Sequence, residues 1–160
     1  MSGKDPLYLG VDGGSTQCRA RLEDEDGTVL GESGSGPATT RLGIDQAWSS
    51  VMHACTAAAA QAGLAARDSP AIHAGIGIAG LSRRGAHTAL MQIAHPFASV
   101  HFVSDGLVAC LGAHGGADGA IVVAGTGSIG VGIVCGRELR VGGYGFPSLT
   151  RAVGLISDCR

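Results

Sequence analysis

With 160 residues, a net charge of −2 and a single lysine, Lys4, the chain has room for one domain or one and a fraction and lacks the cationic footprint of a nucleic-acid binder. No apolar run approaches the ~20 residues that span a bilayer, and the leading Met-Ser-Gly-Lys-Asp-Pro has no apolar h-region, so a cytoplasmic protein without membrane contact is expected. Cys18, Cys55, Cys110, Cys135 and Cys159 form no Cys-x-x-Cys and the histidines lack ligand spacing, which favours buried reduced thiols over disulfides or a bound metal.

Residues 7–11, 17–23 and 28–32 read as a three-stranded meander, with Glu23-Asp-Glu-Asp-Gly27 as a solvated turn. The first strand runs into Asp12, Gly13, Gly14, Ser15 and Thr16. Glycines there allow positive φ and leave no Cβ, so successive N–H groups can hold an anion, and Asp12 beside that anion asks for a cation between them. A phosphate with Mg²⁺, reached by Asp12 through water, satisfies both. The same residues would also serve an ordinary tight turn, and this motif alone does not choose.

A loop rich in Gly, Ser and Pro follows at 33–40. Over 45–62 the apolar positions Trp48, Val51, Met52, Cys55, Ala58, Ala59 and Ala62 keep helical spacing, and their small alanine face predicts close approach to a sheet. Residues 71–80 alternate as a strand, 83–95 predict a helix stopped by Pro96, 99–104 a strand and 106–114 a third helix. This is an α/β layout with a mixed sheet, expected to end near 117.

The opening pattern then recurs. Residues 120–130 are again an apolar strand followed by Gly125, Thr126, Gly127 and Ser128, with an alternating strand, a turn and a short strand after them. Two such units suggest an internal duplication whose hairpins would clamp a nucleotide's phosphates from opposite sides. Gly125 to Gly130 also matches G-x-G-x-x-G, but a dinucleotide fold needs a helix next, and 131–135 read as a strand. A P-loop is excluded because Lys4 is the only lysine. Asp105, at the end of one strand and the start of a helix, falls where ligands collect in open α/β sheets. It could accept the proton of a hydroxyl attacking a γ-phosphate, or merely cap the helix; the paired turns favour the base.

Together, Asp12-Gly-Gly-Ser-Thr16, Gly36-Pro-Ala38, Gly77-Ile-Ala-Gly80, Ser104-Asp105, Gly125-Thr-Gly-Ser128 and Gly142-Gly-Tyr-Gly-Phe-Pro147 resemble the actin-like ATPase superfamily of sugar kinases, acetate kinase and the large heat-shock chaperones. More narrowly the chain resembles the BadF/BadG/BcrA/BcrD ATPase family, which includes N-acetylglucosamine and glucosamine kinases. The resemblance implies a ribonuclease H-like domain with a mixed five-stranded sheet over 1–117 and the opening meander of a second domain over 118–147. It also implies ATP with Mg²⁺, phosphate contacts from Thr16 and Thr126, and Asp105 as general base. An amino sugar would be lined by Ser128, Ile129, Gly143, Tyr144 and Gly145.

Thr39 stands where the family commonly places a sugar-binding asparagine, and Ser104 precedes Asp105 where asparagine is frequent. The resemblance covers about the first half of such a kinase, without the part that binds adenosine. After Pro147 the tail 148–160 departs from the family's Asp-Glu-Gly-Ser-Gly, for which a shift of reading frame is the expected origin. An inactive or nearly inactive fragment is therefore expected, with its incomplete second meander prone to homodimer formation or self-association. Two other readings stand beside it: an ATPase that activates a partner enzyme through an iron-sulfur cluster between subunits, and a product without function.

Overall fold

The computed structural model describes residues 5–124 and 128–143. Two compact units divide the chain after Asp105, one covering Met1–Asp105 and the other Gly106–Arg160.

The first unit is a five-stranded sheet with helices. Strands β1 (Leu7–Gly13), β2 (Cys18–Glu23) and β3 (Val29–Ser35) form the antiparallel meander, and β4 (Ile72–Ile78) and β5 (Ser99–Ser104) add to β1 in parallel, giving the order β3-β2-β1-β4-β5. Alternation decides the two faces. Leu9 and Val11 of β1, Cys18, Ala20 and Leu22 of β2, and Ile72, Ala74 and Ile76 of β4 are buried in one core. Tyr8, Gly10, Asp12, Arg19, Arg21, His73 and Gly75 lie on the other face and are exposed.

Helix α1 (Ile44–Gln61) covers the core face, burying Ala47, Ser50, Val51, Ala54, Cys55 and Ala58 at helical spacing. The expected close approach is realised at β3, where a Cβ on Gly31 would collide with the carbonyl of Ala58. Ser35 Oγ donates to the Ser50 carbonyl at 2.7 Å, and Trp48 meets Phe102 of β5 edge-on at 6.0 Å.

Two expectations change. β3 runs on to Ser35, because Gly34 and Ser35 pair with Arg19 and Cys18 and the ladder overrides loop-like composition. The helix expected over 83–95 shrinks to α2 (Ala86–Met91), since Gly85 enters it with φ of 80° and Gln92 closes it.

In the second unit, α3 (Asp105–Ala113) leads to an antiparallel meander, β6 (Gly119–Ala124), β7 (Ser128–Val134) and β8 (Arg137–Gly142), in the order β6-β7-β8. Cys110, Val131 and Ile133 form its small core, with Leu107, Leu111, Ile121 and Ile129 packed around them. A strand thus follows the Gly125–Gly130 motif, against a dinucleotide fold. Cys18, Cys55 and Cys110 are free and buried, as expected, whereas Cys135 is exposed. Among the described residues no helix is long and apolar enough to cross a membrane.

Candidate functional site

Parallel pairing sends the carboxyl ends of β1, β4 and β5 to one edge of the first sheet. Asp12 stands in register with Gly77 and Gly77 with Val103, so that Gly13, Ile78 and Ser104 form the last paired row. Asp105 follows directly. Two strand spacings separate β1 from β5, roughly 10 Å between backbones, which brings both carboxylates to one strand-end edge. Gly77, between them, contributes no side chain to that row.

The turn after β1 is a hairpin. Gly14 N–H donates to the Gln17 carbonyl at 2.9 Å, leaving Ser15 and Thr16 exposed at its tip. Neither Gly13 nor Gly14 has positive φ, so that part of the expectation is corrected. Glycine is required at position 13 for a different reason: a Cβ there would lie 2.7 Å from the Gly77 carbonyl oxygen and 3.0 Å from Ala38 Cβ. The backbone around it is tied down. Ala79 N–H donates to the Gly13 carbonyl at 2.7 Å and Ala38 N–H to the Gly14 carbonyl at 3.0 Å. Three segments, 13–14, 38–40 and 77–80, are thereby held against one another. The anion-facing donors left in this turn are those of its tip, not of Gly14.

Asp12 carries the electrostatic signature of the edge. Partial burial raises its pKa above the ordinary carboxylate value, the Asp105 carboxylate raises it further, and the Arg19 guanidinium lowers it. Arg19 is the residue that the sequence reading missed. It lies directly opposite Asp12 across the β1–β2 pair, and a two-residue turn at Ser15-Thr16 already implies that register.

Thr39 is buried, pairs in a bridge with Ala79, and its Oγ1 accepts from Arg41 N–H at 3.4 Å. Its neighbour Thr40 donates from Oγ1 to the Gly80 carbonyl at 2.8 Å. In the second unit, β7–β8 pairing gathers Ser128, Ile129 and Gly143: Gly143 N–H donates to the Ser128 carbonyl at 3.1 Å, and a Cβ on Gly143 would lie 2.8 Å from Ile129 Cδ1. Gly125, Thr126, Gly127, Tyr144 and Gly145 lie outside the described residues.

A groove of about 580 Å³ opens on the exposed sheet face between Tyr8, Arg21, His73, Ser99 and His101, over Gly10 and Gly75. It includes none of the predicted site residues.

The profile of the BadF/BadG/BcrA/BcrD ATPase family matches residues 9–149. The chain belongs to this family. Similar members include glucosamine kinase GspK of Vibrio cholerae, 45% identical over 153 residues, which are 96% of this chain and 52% of that protein. A Chromobacterium violaceum protein assigned as an N-acetylglucosamine kinase superposes with a TM-score of 0.81 at 38% identity, over 89% of this chain and 50% of that one. The fold is therefore the actin-like ATPase fold, and the β6–β8 sheet fits the opening of a second such domain. A reductive activator for a corrinoid iron-sulfur protein, 12% identical with a TM-score of 0.53 over 88% of this chain and 31% of that one, shares the fold alone. This family member spans about half the length of the two kinase-named proteins.

Proposed function

We propose that the chain supplies the phosphate-binding and base-bearing half of an ATP-dependent amino-sugar kinase, which moves the γ-phosphoryl group of ATP to a hydroxyl of glucosamine or N-acetylglucosamine in the cytoplasm. One observation carries this: Asp12 and Asp105 stand at one strand-end edge, close enough for one carboxylate to raise the pKa of the other, with Arg19 as the cation that partly offsets them. Two carboxylates beside an exposed hydroxyl tip fit a divalent cation with a polyphosphate better than either partner alone. Among the described residues no group of three or more His, Cys, Asp or Glu could hold a metal. Asp12 would hold Mg²⁺ through water, and the ion would offset the charge of the phosphates beside it.

In this reading Ser15 and Thr16 donate to phosphate oxygens from the hairpin tip, and Gly13 and Gly14 keep the tip rigid and low. Gly125, Thr126 and Gly127 would bind the same phosphates from the second domain proposed over 118–147. Asp105 takes the proton of the attacking sugar hydroxyl. Thr39, Ser128, Ile129, Gly143, Tyr144 and Gly145 contact the sugar. ATP with Mg²⁺, when bound, supplies the phosphoryl group and neutralises charge developing on it; the residues here position and deprotonate the acceptor. The names of the Vibrio and Chromobacterium proteins support the substrate class. No observation favours a partner-activating ATPase: of the described cysteines only Cys135 is exposed.

The test is a fusion of residues 1–147 to the remaining half of the Vibrio glucosamine kinase, assayed for phosphate transfer to both sugars. The fusion should transfer phosphate, Asp105→Asn should lower kcat by about 10²–10⁴ with little change in KM for ATP, and the 160-residue chain alone should stay at background. ATP hydrolysis indifferent to sugar, or an Asp105→Asn fusion as fast as its parent, would contradict the reading.

A further inference from the structure

Arg83 and Arg84 lie in the turn between β4 and α2, and both are exposed. Arg21 on the sheet face is held by Glu23 at 2.6 Å, whereas neither Arg83 nor Arg84 has an ion-pair partner among the described residues. Two cations side by side without a carboxylate favour an anion between them.

Their backbone is fixed although their side chains are not. Arg83 N–H donates to the Gly80 carbonyl at 3.0 Å, and Ala86 N–H donates to the Arg83 carbonyl at 3.0 Å. The same Gly80 carbonyl accepts from Thr40 Oγ1 at 2.8 Å, which ties this turn to the segment carrying Thr39. Gly80 has φ of 79°, and a Cβ on it would lie 3.5 Å from Arg83 Cδ and 3.8 Å from Thr39 Oγ1. The stem of Arg83 and the hydroxyl of Thr39 thus border one glycine. Thr40, Ile44, Arg83, Arg84, Gly85 and Ala86 line a cavity of about 350 Å³, with no carboxylate among them. That is room for a substituted sugar rather than a bare ion.

We propose that Arg83 and Arg84 form an anion subsite beside Thr39, and that the acceptor suited to this chain is an amino sugar carrying a carboxylate or phosphate group. This deepens the kinase reading and rests on it for Thr39 as an acceptor contact. A guanidinium fork pairs with either anion through two parallel N–H···O bonds. The ammonium of free glucosamine meets like charge in the same place.

The 160-residue chain is titrated without ATP, followed by backbone amide NMR. The probes are N-acetylglucosamine, N-acetylmuramic acid as the carboxylate form, N-acetylglucosamine 1-phosphate as the phosphate form, and acetate and inorganic phosphate as bare anions. At least one anionic sugar should shift the Thr40, Arg83, Arg84 and Gly85 amides and bind at least ~10-fold more tightly than N-acetylglucosamine, a difference that shrinks in high salt. Which of the two binds more tightly assigns the substituent. The advantage should disappear in the double variant Arg83→Gln/Arg84→Gln and persist in Arg41→Gln, whose exposed charge lies outside the cavity. Equal binding of charged and neutral sugars, an advantage that survives in the double variant, or bare anions binding as tightly as the anionic sugars would each overturn the proposal. The kinase reading fails separately. Phosphate transfer by the fusion with no preference for anionic sugars removes the subsite alone, whereas arginine-dependent sugar binding without transfer removes the kinase reading and leaves a site for sugar acids.

Discussion

Asp12 is held at a cost that the fold itself does not require. Its folded pKa lies above the ordinary 3.8, so the folded state binds more protons than the unfolded state as pH rises through that window, and stability falls as the carboxylate ionises. Asp12→Asn should therefore stabilise the fold near pH 7 by the amount expected of a screened surface charge, ~1 kcal/mol or less, read as a higher melting temperature. The gain should vanish at pH values where the parent carboxyl is protonated. Thermal melts of both proteins across pH 2.5–8, a range of about five units, check this. A variant less stable than its parent at pH 7 would mean that Asp12 has a structural partner. Asp12 and Asp105 were legible in the sequence because both end apolar strands. Arg19 was overlooked because its importance depends on register across a turn, which only counting back from Ser15-Thr16 supplies.

At the level of elements, α1 and β3 show how a small-residue face becomes a geometric requirement. Alanines at positions 47, 54 and 58 let the helix lie so close that Gly31 meets the Ala58 carbonyl. Replacing glycine in a strand by alanine normally gains a few tenths to 1 kcal/mol from chain entropy. At Gly31 the collision with a helix backbone outweighs that gain, and Gly31→Ala should destabilise by about 1–3 kcal/mol in urea unfolding. Gly75→Ala, with nothing within 4 Å of its Cβ, should be neutral or slightly stabilising. Equal effects at the two sites would contradict this packing. The helical spacing of α1 and the alternation of β4 were readable directly. The end of β3 and the start of α2 were not, since one is set by the partner β2 and the other by the backbone conformation of Gly85.

For the whole molecule, the sequence disclosed the layout because its punctuation is consistent: two meanders, glycine-hydroxyl turns after the first strand of each, and helices between the strands of the first unit. It also disclosed the family, through motifs that are weak singly and specific together. The use of Gly13 was not legible, because a missing Cβ and a left-handed φ look identical in sequence and only the Gly77 carbonyl distinguishes them. Nor was the exposed position of Cys135, which sits in the β7–β8 turn with φ of 50°.

We infer that the edge formed by Asp12, the Ser15-Thr16 tip and Asp105 binds the phosphates of a magnesium nucleotide. Backbone amide NMR of the 160-residue chain, titrated with Mg·ATP, tests it most directly. Shifts are expected to concentrate in residues 13–17 and at Asp105, and to be lost in Asp12→Asn and in the absence of Mg²⁺. No shifts at those amides, or shifts confined to the groove around Tyr8 and His73, would contradict it.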